Sequence, residues 1–522
     1  MSTGLTVSTT SRRRVRGEKL IAVASFALSA VAHAQLSPDY IGTSIGSFGN
    51  SISSTGLPSD QTPFLDYGAD VGLGETDNVY LTNSNKTTQT IGTADVDFGV
   101  NQQTRLLQVR AAGAFSDLSY LEGAYTNQLI GRFDGAGQLA IIPDRLVWVL
   151  RDDFGQATLN PFTPVTPYNL QDVNYVATGP NLYLRLGGTG FLSATARYAD
   201  AYYQSSPFDS NRLLATVATG LQLSARSTVS LNGGAERVLF KDTSVNNDFD
   251  RYSVYARYEA HGARTNVALD LGGSRVEQHG DATGVTTVTA PGTPTAPSQT
   301  TSTTPPIIGL TTAPHDTTTT QPLGRLELGR ALSPSANLTL TAGRELTDGS
   351  SSFSTQGGFI GTINYAPTPL TSDVYTSTYA SAGWQYVRNR TTVALTGRWE
   401  KDSYPGAAEF DLTSESAQVF IQRQLTRAFT AQLTGQFSRM DYTNAILAPG
   451  TGSPESKTGV FGAALAWRHG RALEVRMRYE HYTYSVVTGG TGYQENRIFV
   501  TVGYRPRSHL SDTELAEPPL TN

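Results

Sequence analysis

From Leu65 to Tyr504 the chain alternates apolar and polar side chains in segments of about 10 to 15 residues, each closed by a turn. In Leu473-Glu474-Val475-Arg476-Met477-Arg478-Tyr479-Glu480 the odd positions are apolar or aromatic and the even positions are charged. A strand has a period of two, so these sets fall on opposite faces. A helix, with its period of about 3.6, would mix them around its circumference. Runs of this kind cover 65–73, 89–101, 104–122, 126–142, 145–158, 171–187, 190–203, 210–225, 227–241, 248–260 and 262–277. They continue over 322–332, 335–347, 376–388, 391–402, 412–425, 427–442, 457–468, 472–485 and 493–505. One apolar and one polar face on nearly every strand predict an all-β chain forming a single transmembrane antiparallel β-barrel of about 20 strands, within about 16 to 22.

The connections alternate in length. Short turns fall at Gly187-Gly188-Thr189, His261-Gly262, Arg388-Asn389-Arg390 and His469-Gly470-Arg471, with longer segments between them at 204–209, 278–321, 348–375, 403–411, 443–456 and 486–492. Outer-membrane barrels have short periplasmic turns and long outer loops, so the alternation sets the orientation, places both termini in the periplasm and requires an even strand number.

Apolar parity assigns Val96, Phe98 and Val100, Val267, Leu269 and Leu271, Val393, Leu395 and Trp399, and Ile498, Val500, Val502 and Tyr504 to lipid. A charge on the lipid face at the bilayer midplane costs roughly 2–4 kcal/mol. The opposite parity therefore gives the lumen-lining candidates Asp95, Asp97, Arg197, Arg257, Asp270, Arg398, Glu400, Glu474, Arg476, Arg478 and Glu480, which Glu236 and Glu259 join. Such mixed charges either set a transverse field for polar solutes or pair into a structural network. A barrel of this size is wide enough for an aqueous lumen. Aromatic residues near strand ends, such as Trp148, Tyr198, Tyr258 and Phe437, fit an interfacial girdle. Tyr202, Tyr203, Tyr404, Tyr482, Tyr484 and Tyr493, near the outer mouth, are candidates for stacking on sugar rings.

The N-terminus adds a compartment. Arg12, Arg13, Arg14, Arg16 and Lys19 precede an apolar run from Leu20 to Val31 and then Ala32-His33-Ala34. That order predicts a signal peptide over 1–34, because the run is shorter than the roughly 20 residues that span a bilayer. The expected location is the bacterial outer membrane, with membrane lipid and the barrel-assembly machinery as partners. Residues 35–63 are expected to form a periplasmic lead-in or a plug, 64–505 the barrel, and 506–522 a periplasmic tail. The Thr/Pro-rich stretch 278–321 cannot bury a core and is expected to be a disordered outer loop.

Composition excludes more than it assigns. There is no cysteine, and a formal net charge of −5 over 522 residues gives no reason to expect nucleic acid. The 7 histidines are scattered, and no Gly-x-Ser-x-Gly elbow, His-Glu-x-x-His motif or phosphate loop accompanies them. Asp242, Asn246, Asn247, Asp248 and Asp250 crowd one outer loop without calcium-loop spacing and read as solvated turn residues. No enzyme, cofactor or metal is expected.

Three stretches carry a likeness: Thr76-Asp77-Asn78-Val79-Tyr80-Leu81-Thr82; Leu159-Asn160-Pro161-Phe162 with Thr166-Pro167-Tyr168-Asn169; and Val176 to Gly187, containing Gly179-Pro180-Asn181-Leu182. The chain resembles the outer-membrane β-barrel proteins found with exopolysaccharide and PEP-CTERM protein-sorting systems. The resemblance implies a role in secretion or surface assembly of polysaccharide, with polysaccharide or its export proteins as partners. Two functions remain open at this stage. One is a porin-like channel for polar solutes or exported polysaccharide; the other is a closed barrel anchoring polysaccharide export machinery.

Overall fold

The structure is a computed structural model that describes residues 65–159, 164–280, 285–288, 308–311, 316–356, 366–367, 372–405, 408–442, 455–470, 472–486 and 492–506. The expected signal peptide, the lead-in, the tail beyond 506 and most of the Thr/Pro-rich loop lie outside the described residues.

Twenty strands make the wall. They are β1 (Leu65–Thr76), β2 (Gln89–Gln103), β3 (Leu107–Tyr120), β4 (Gln128–Ile142), β5 (Leu146–Thr158), β6 (Leu170–Leu186) and β7 (Gly190–Tyr203). There follow β8 (Ser210–Ser224), β9 (Ser227–Phe240), β10 (Asp248–His261), β11 (Thr265–His279), β12 (Thr317–Ser333), β13 (Ala336–Thr347) and β14 (Tyr375–Arg388). The last are β15 (Thr391–Ser403), β16 (Leu412–Gln424), β17 (Phe429–Tyr442), β18 (Glu455–His469), β19 (Leu473–Val486) and β20 (Tyr493–Tyr504). Each pairs antiparallel with its chain neighbour, and β1 closes the ring on β20.

The strands are 12 to 17 residues long. At about 3.3 Å per residue and a tilt near 45°, the shorter ones cross a hydrocarbon core of roughly 30 Å. The joins from even to odd strands are short turns at one end, and those from odd to even strands are long connections at the other. The wall begins and ends at the short-turn end.

Its exterior is apolar. Val71, Leu73, Leu129, Leu213, Val217, Val254, Leu271, Met477 and Val500 are all exposed, as are Val96, Leu395, Trp399, Ile498, Val502 and Tyr504 from the expected lipid-facing sets. Water would penalise such a continuous apolar surface, whereas a closed ring leaves no unpaired edge to lipid. The chain is an outer-membrane β-barrel of the bacterial envelope.

Two boundaries differ from the sequence reading. The ladder between β11 and β12 runs on to Gln278↔Thr317, so the loop expected over 278–321 is shorter at both ends. Thr317-Thr318-Thr319-Thr320 carries no apolar alternation to betray it, but β-branched threonines suit a strand once β11 offers a partner. Within the loop, Val285–Val288 and Ile308–Thr311 pair as a small antiparallel hairpin.

At the closing seam β1 meets β20 only from Ala69↔Tyr504 to Thr76↔Arg497, a shorter ladder than its Leu65↔Val100 to Thr76↔Gln89 pairing with β2. The strands fit because Gly74 has no side chain: a Cβ there would stand 2.1 Å from the Phe499 ring. Beyond β20, Arg505 bridges Asp70 at 2.5 Å and Asp97 at 2.6 Å from inside.

Candidate lumen and its inserted segment

The charged candidates lie on the inner face, and most are ion-paired, either with a residue two positions along the same strand or across to a neighbouring strand. Arg257 donates to Glu259 at 2.5 Å and to Asp270 at 3.2 Å; Arg325 lies 4.0 Å from the same Asp270 and donates to Glu345 at 2.8 Å. Arg398 holds both oxygens of Glu400 at 3.0 Å. Glu474 accepts from Arg476 at 2.5 Å and from Arg468 at 3.1 Å, and Arg478 stands 3.5 Å from Glu480. Asp95 accepts from Ser116, and Asp97 belongs to the Arg505 bridge.

Arg197 has a different task. In the β6–β7 ladder Thr178↔Tyr198 and Asn181↔Thr195 pair, but Gly179 and Pro180 between them do not. Pro180 has no N–H to offer the opposing Ala196, and a Cβ on Gly179 would stand 2.1 Å from the Ala196 oxygen. Arg197 Nη1 donates to the carbonyls of both Pro180 and Ala196 at 2.9 Å, and its Nη2 donates to Asn181 Oδ1. Unsatisfied backbone groups are costly where the wall faces lipid. The guanidinium therefore staples a gap in the ladder, and Gly179-Pro180-Asn181 is the gap it fits.

The connection after β13, expected as an outer loop, turns inward. Helix α1 (Gly349–Gln356) begins directly behind the wall. A run of Gly, Ser and Thr is a weak helix former; Asp348 caps it, accepting from Ser351 N at 3.4 Å and Ser351 Oγ at 2.6 Å. The same carboxylate is held by Arg212, and Arg251 Nη1 lies 3.7 Å away. Glu236 pairs with both arginines. Arg212 is 1% exposed and Arg251 3%. Burial opposes ionisation of Asp348, but Arg212 and Arg251 outweigh it and hold the carboxyl far below the usual range. Phe353 completes the insertion by packing among Val173, Tyr175, Ala199 and Tyr203 of the inner wall, and Ser350 meets the Tyr203 hydroxyl at 3.1 Å. Farther along, Ala366–Pro367 runs parallel to Ala157 and Thr158 of β5.

The tyrosine candidates divide. Tyr202 points outward and is 46% exposed, whereas Tyr203 is buried under α1. Tyr404 sits between Tyr375 and Phe410, Tyr484 stacks on Tyr493 at 5.4 Å, and the Arg497 guanidinium lies 4.3 Å over Tyr482. Tyr404, Tyr482, Tyr484 and Tyr493 thus each have an aromatic or guanidinium neighbour.

No known family matches the sequence, and no curated protein does. Solved structures give distant likenesses. The FrpB iron transporter of Neisseria meningitidis (F5-1 variant) is 8% identical over 84% of this chain and 82% of its own, with a TM-score of 0.41. The copper transporter OprC is 11% identical over 85% and 81%, at 0.41. A mutant of the ferric enterobactin receptor PfeA of Pseudomonas aeruginosa is 9% identical over 85% and 81%, at 0.40. The fold rests on the strand registers, not on these likenesses.

The inner wall is therefore asymmetric. Inward residues of β8 to β10, such as Arg212, Thr216, Asn232, Glu236, Ser253 and Tyr255, are buried, and Arg212 and Arg251 meet the inserted segment directly. Those of β16 and β17, such as Ser416, Gln418, Thr434 and Gln436, remain partly exposed. Among the described residues no group of three or more His, Asp or Glu converges as a metal site. Asp242 and Asn246 are engaged in their own turn.

Proposed function

We propose that this barrel is a diffusion channel for polar solutes, narrowed from one side by the segment 348–356. The observation that carries the reading is the contrast between a packed wall at β6 to β10 and a polar, partly exposed one at β16 to β17. Paired inward charges give such a passage little net field, so it would discriminate by size and hydrogen bonding more than by charge. The dense ion pairing also suits a second reading, a closed barrel that anchors an envelope assembly, including one for polysaccharide export. Single-channel recording of the mature protein in planar bilayers separates the two. Stable steps that enlarge when 349–356 are replaced by a short linker support the channel. Silence from both forms, with folding verified by heat-modifiable gel mobility, supports the anchor.

A further inference from the structure

Charge is distributed unevenly around the inner wall. On β16 and β17 no inward residue is charged, and side chains of one chemistry face each other across the ladder: Ser416↔Ser438, Gln418↔Gln436 and Gln422↔Gln432. Gln432 Nε2 donates to Gln422 Oε1 at 2.9 Å, so the lowest pair forms an amide rung. Phe420, opposite Thr434, interrupts the rungs with an aromatic surface. On β15 the Arg398 guanidinium beside this sector is taken up by Glu400 and lies 4.8 Å over the Tyr379 ring.

We propose that this strip is a sliding contact for an uncharged, polyhydroxylated chain, such as a neutral oligosaccharide; this rests on the channel reading above. Amides and hydroxyls offer both donors and acceptors, as sugar hydroxyls do, and neither attract nor repel ions strongly. The Ser416↔Ser438 and Gln418↔Gln436 rungs stand about 6.7 Å apart, and Gln422↔Gln432 lies about twice that distance beyond, past Phe420. A chain can thus exchange one set of bonds for the next without falling into one deep site, as passage requires. Phe420 supplies an apolar face for the C–H side of a ring. An acidic chain would gain nothing here, because the neighbouring arginines are already neutralised by carboxylates.

The test uses the whole protein in planar bilayers, with maltohexaose as neutral probe and an oligogalacturonate of equal length as acidic probe. Maltohexaose should interrupt the ion current reversibly, and oligogalacturonate should do so far less. Since one net hydrogen bond is worth roughly 1 kcal/mol, Gln418→Ala and Gln436→Ala should each raise the half-blocking concentration about fivefold. Block is expressed relative to each variant's own open-channel current, and Gln436→Asn should fall between. Equal block by both probes, or block unaffected by the alanine variants, overturns the strip. If no current flows, the channel reading fails, and equilibrium dialysis of maltohexaose against detergent-folded protein decides the strip separately. Binding weakened by the same two variants upholds it; no binding overturns it.

Discussion

Replacing Arg197 by alanine probes the wall itself. The guanidinium serves the carbonyls of Pro180 and Ala196, both left unpaired by the β6–β7 ladder. A buried acceptor stripped of its donor costs about 1–3 kcal/mol; with the Pro180 contact part-buried and the Ala196 one exposed, the substitution should destabilise the barrel by roughly 1–3 kcal/mol. Arg197→Lys should recover a fraction, since one ammonium can serve the carbonyls but lacks the second nitrogen that Arg197 sets on Asn181 Oδ1. The decisive variant is Pro180→Ala, which restores an N–H opposite Ala196. If the staple exists because of the proline, Arg197→Ala should cost markedly less in the Pro180→Ala background, with a coupling energy above about 1 kcal/mol. Urea unfolding in lipid vesicles, followed by heat-modifiable mobility, measures each corner of the cycle. Additive costs, or a loss below about 0.5 kcal/mol for Arg197→Ala alone, would refute the staple.

Other substitutions test the remaining features. Asp348→Ala leaves Arg212 and Arg251 opposed by Glu236 alone; breaking such a buried set costs about 3–5 kcal/mol and should release 349–356, seen as faster protease cleavage there. Because the Asp348 carboxyl is depressed in the fold, its stabilisation is complete above its unfolded value of about 3.9 and fades only in stronger acid; the cleavage rate should therefore be flat from about pH 5 to 8. Gly74→Leu drives a side chain into the Phe499 ring, and the protein should lose its compact, heat-modifiable form. Neutralising Arg476 and Arg478 together leaves Glu474 with Arg468 and Glu480 with the Tyr482 hydroxyl, so the reversal potential under a salt gradient should move toward cation preference.

The wall was legible because a strand's period and the cost of charge in lipid act residue by residue: each segment from 65–73 to 493–505 corresponds to a wall strand, and charge-dense strands such as β19 announce their faces. What the chain does inside the barrel was not legible. Asp348 meets Arg212 across 136 residues, and nothing local to Gly349-Ser350-Ser351-Ser352 separates a segment that enters the lumen from one that stays outside. Arg212 was missed because apolar residues follow it directly and blur the parity. Arg197 was placed on the correct face for an incomplete reason, since its duty arises from a proline on the adjacent strand. The likeness in Gly179-Pro180-Asn181 marked that place without explaining it.

The seam between β1 and β20 makes the two ends of the polypeptide inspect one another. Thr76 donates to Glu495, Asp77 accepts from the Asn496 amide 419 positions away, and Arg505 reaches Asp70 across 435. The first of these contacts needs synthesis to have reached residue 495 and the last residue 505, and a product interrupted earlier is left as a curled sheet with two bare edges. Such an edge is what neighbouring chains and proteases find first. Closure thus depends on residues from both ends of the wall, and a copy lacking β20 keeps the open edges that the intact ring seals.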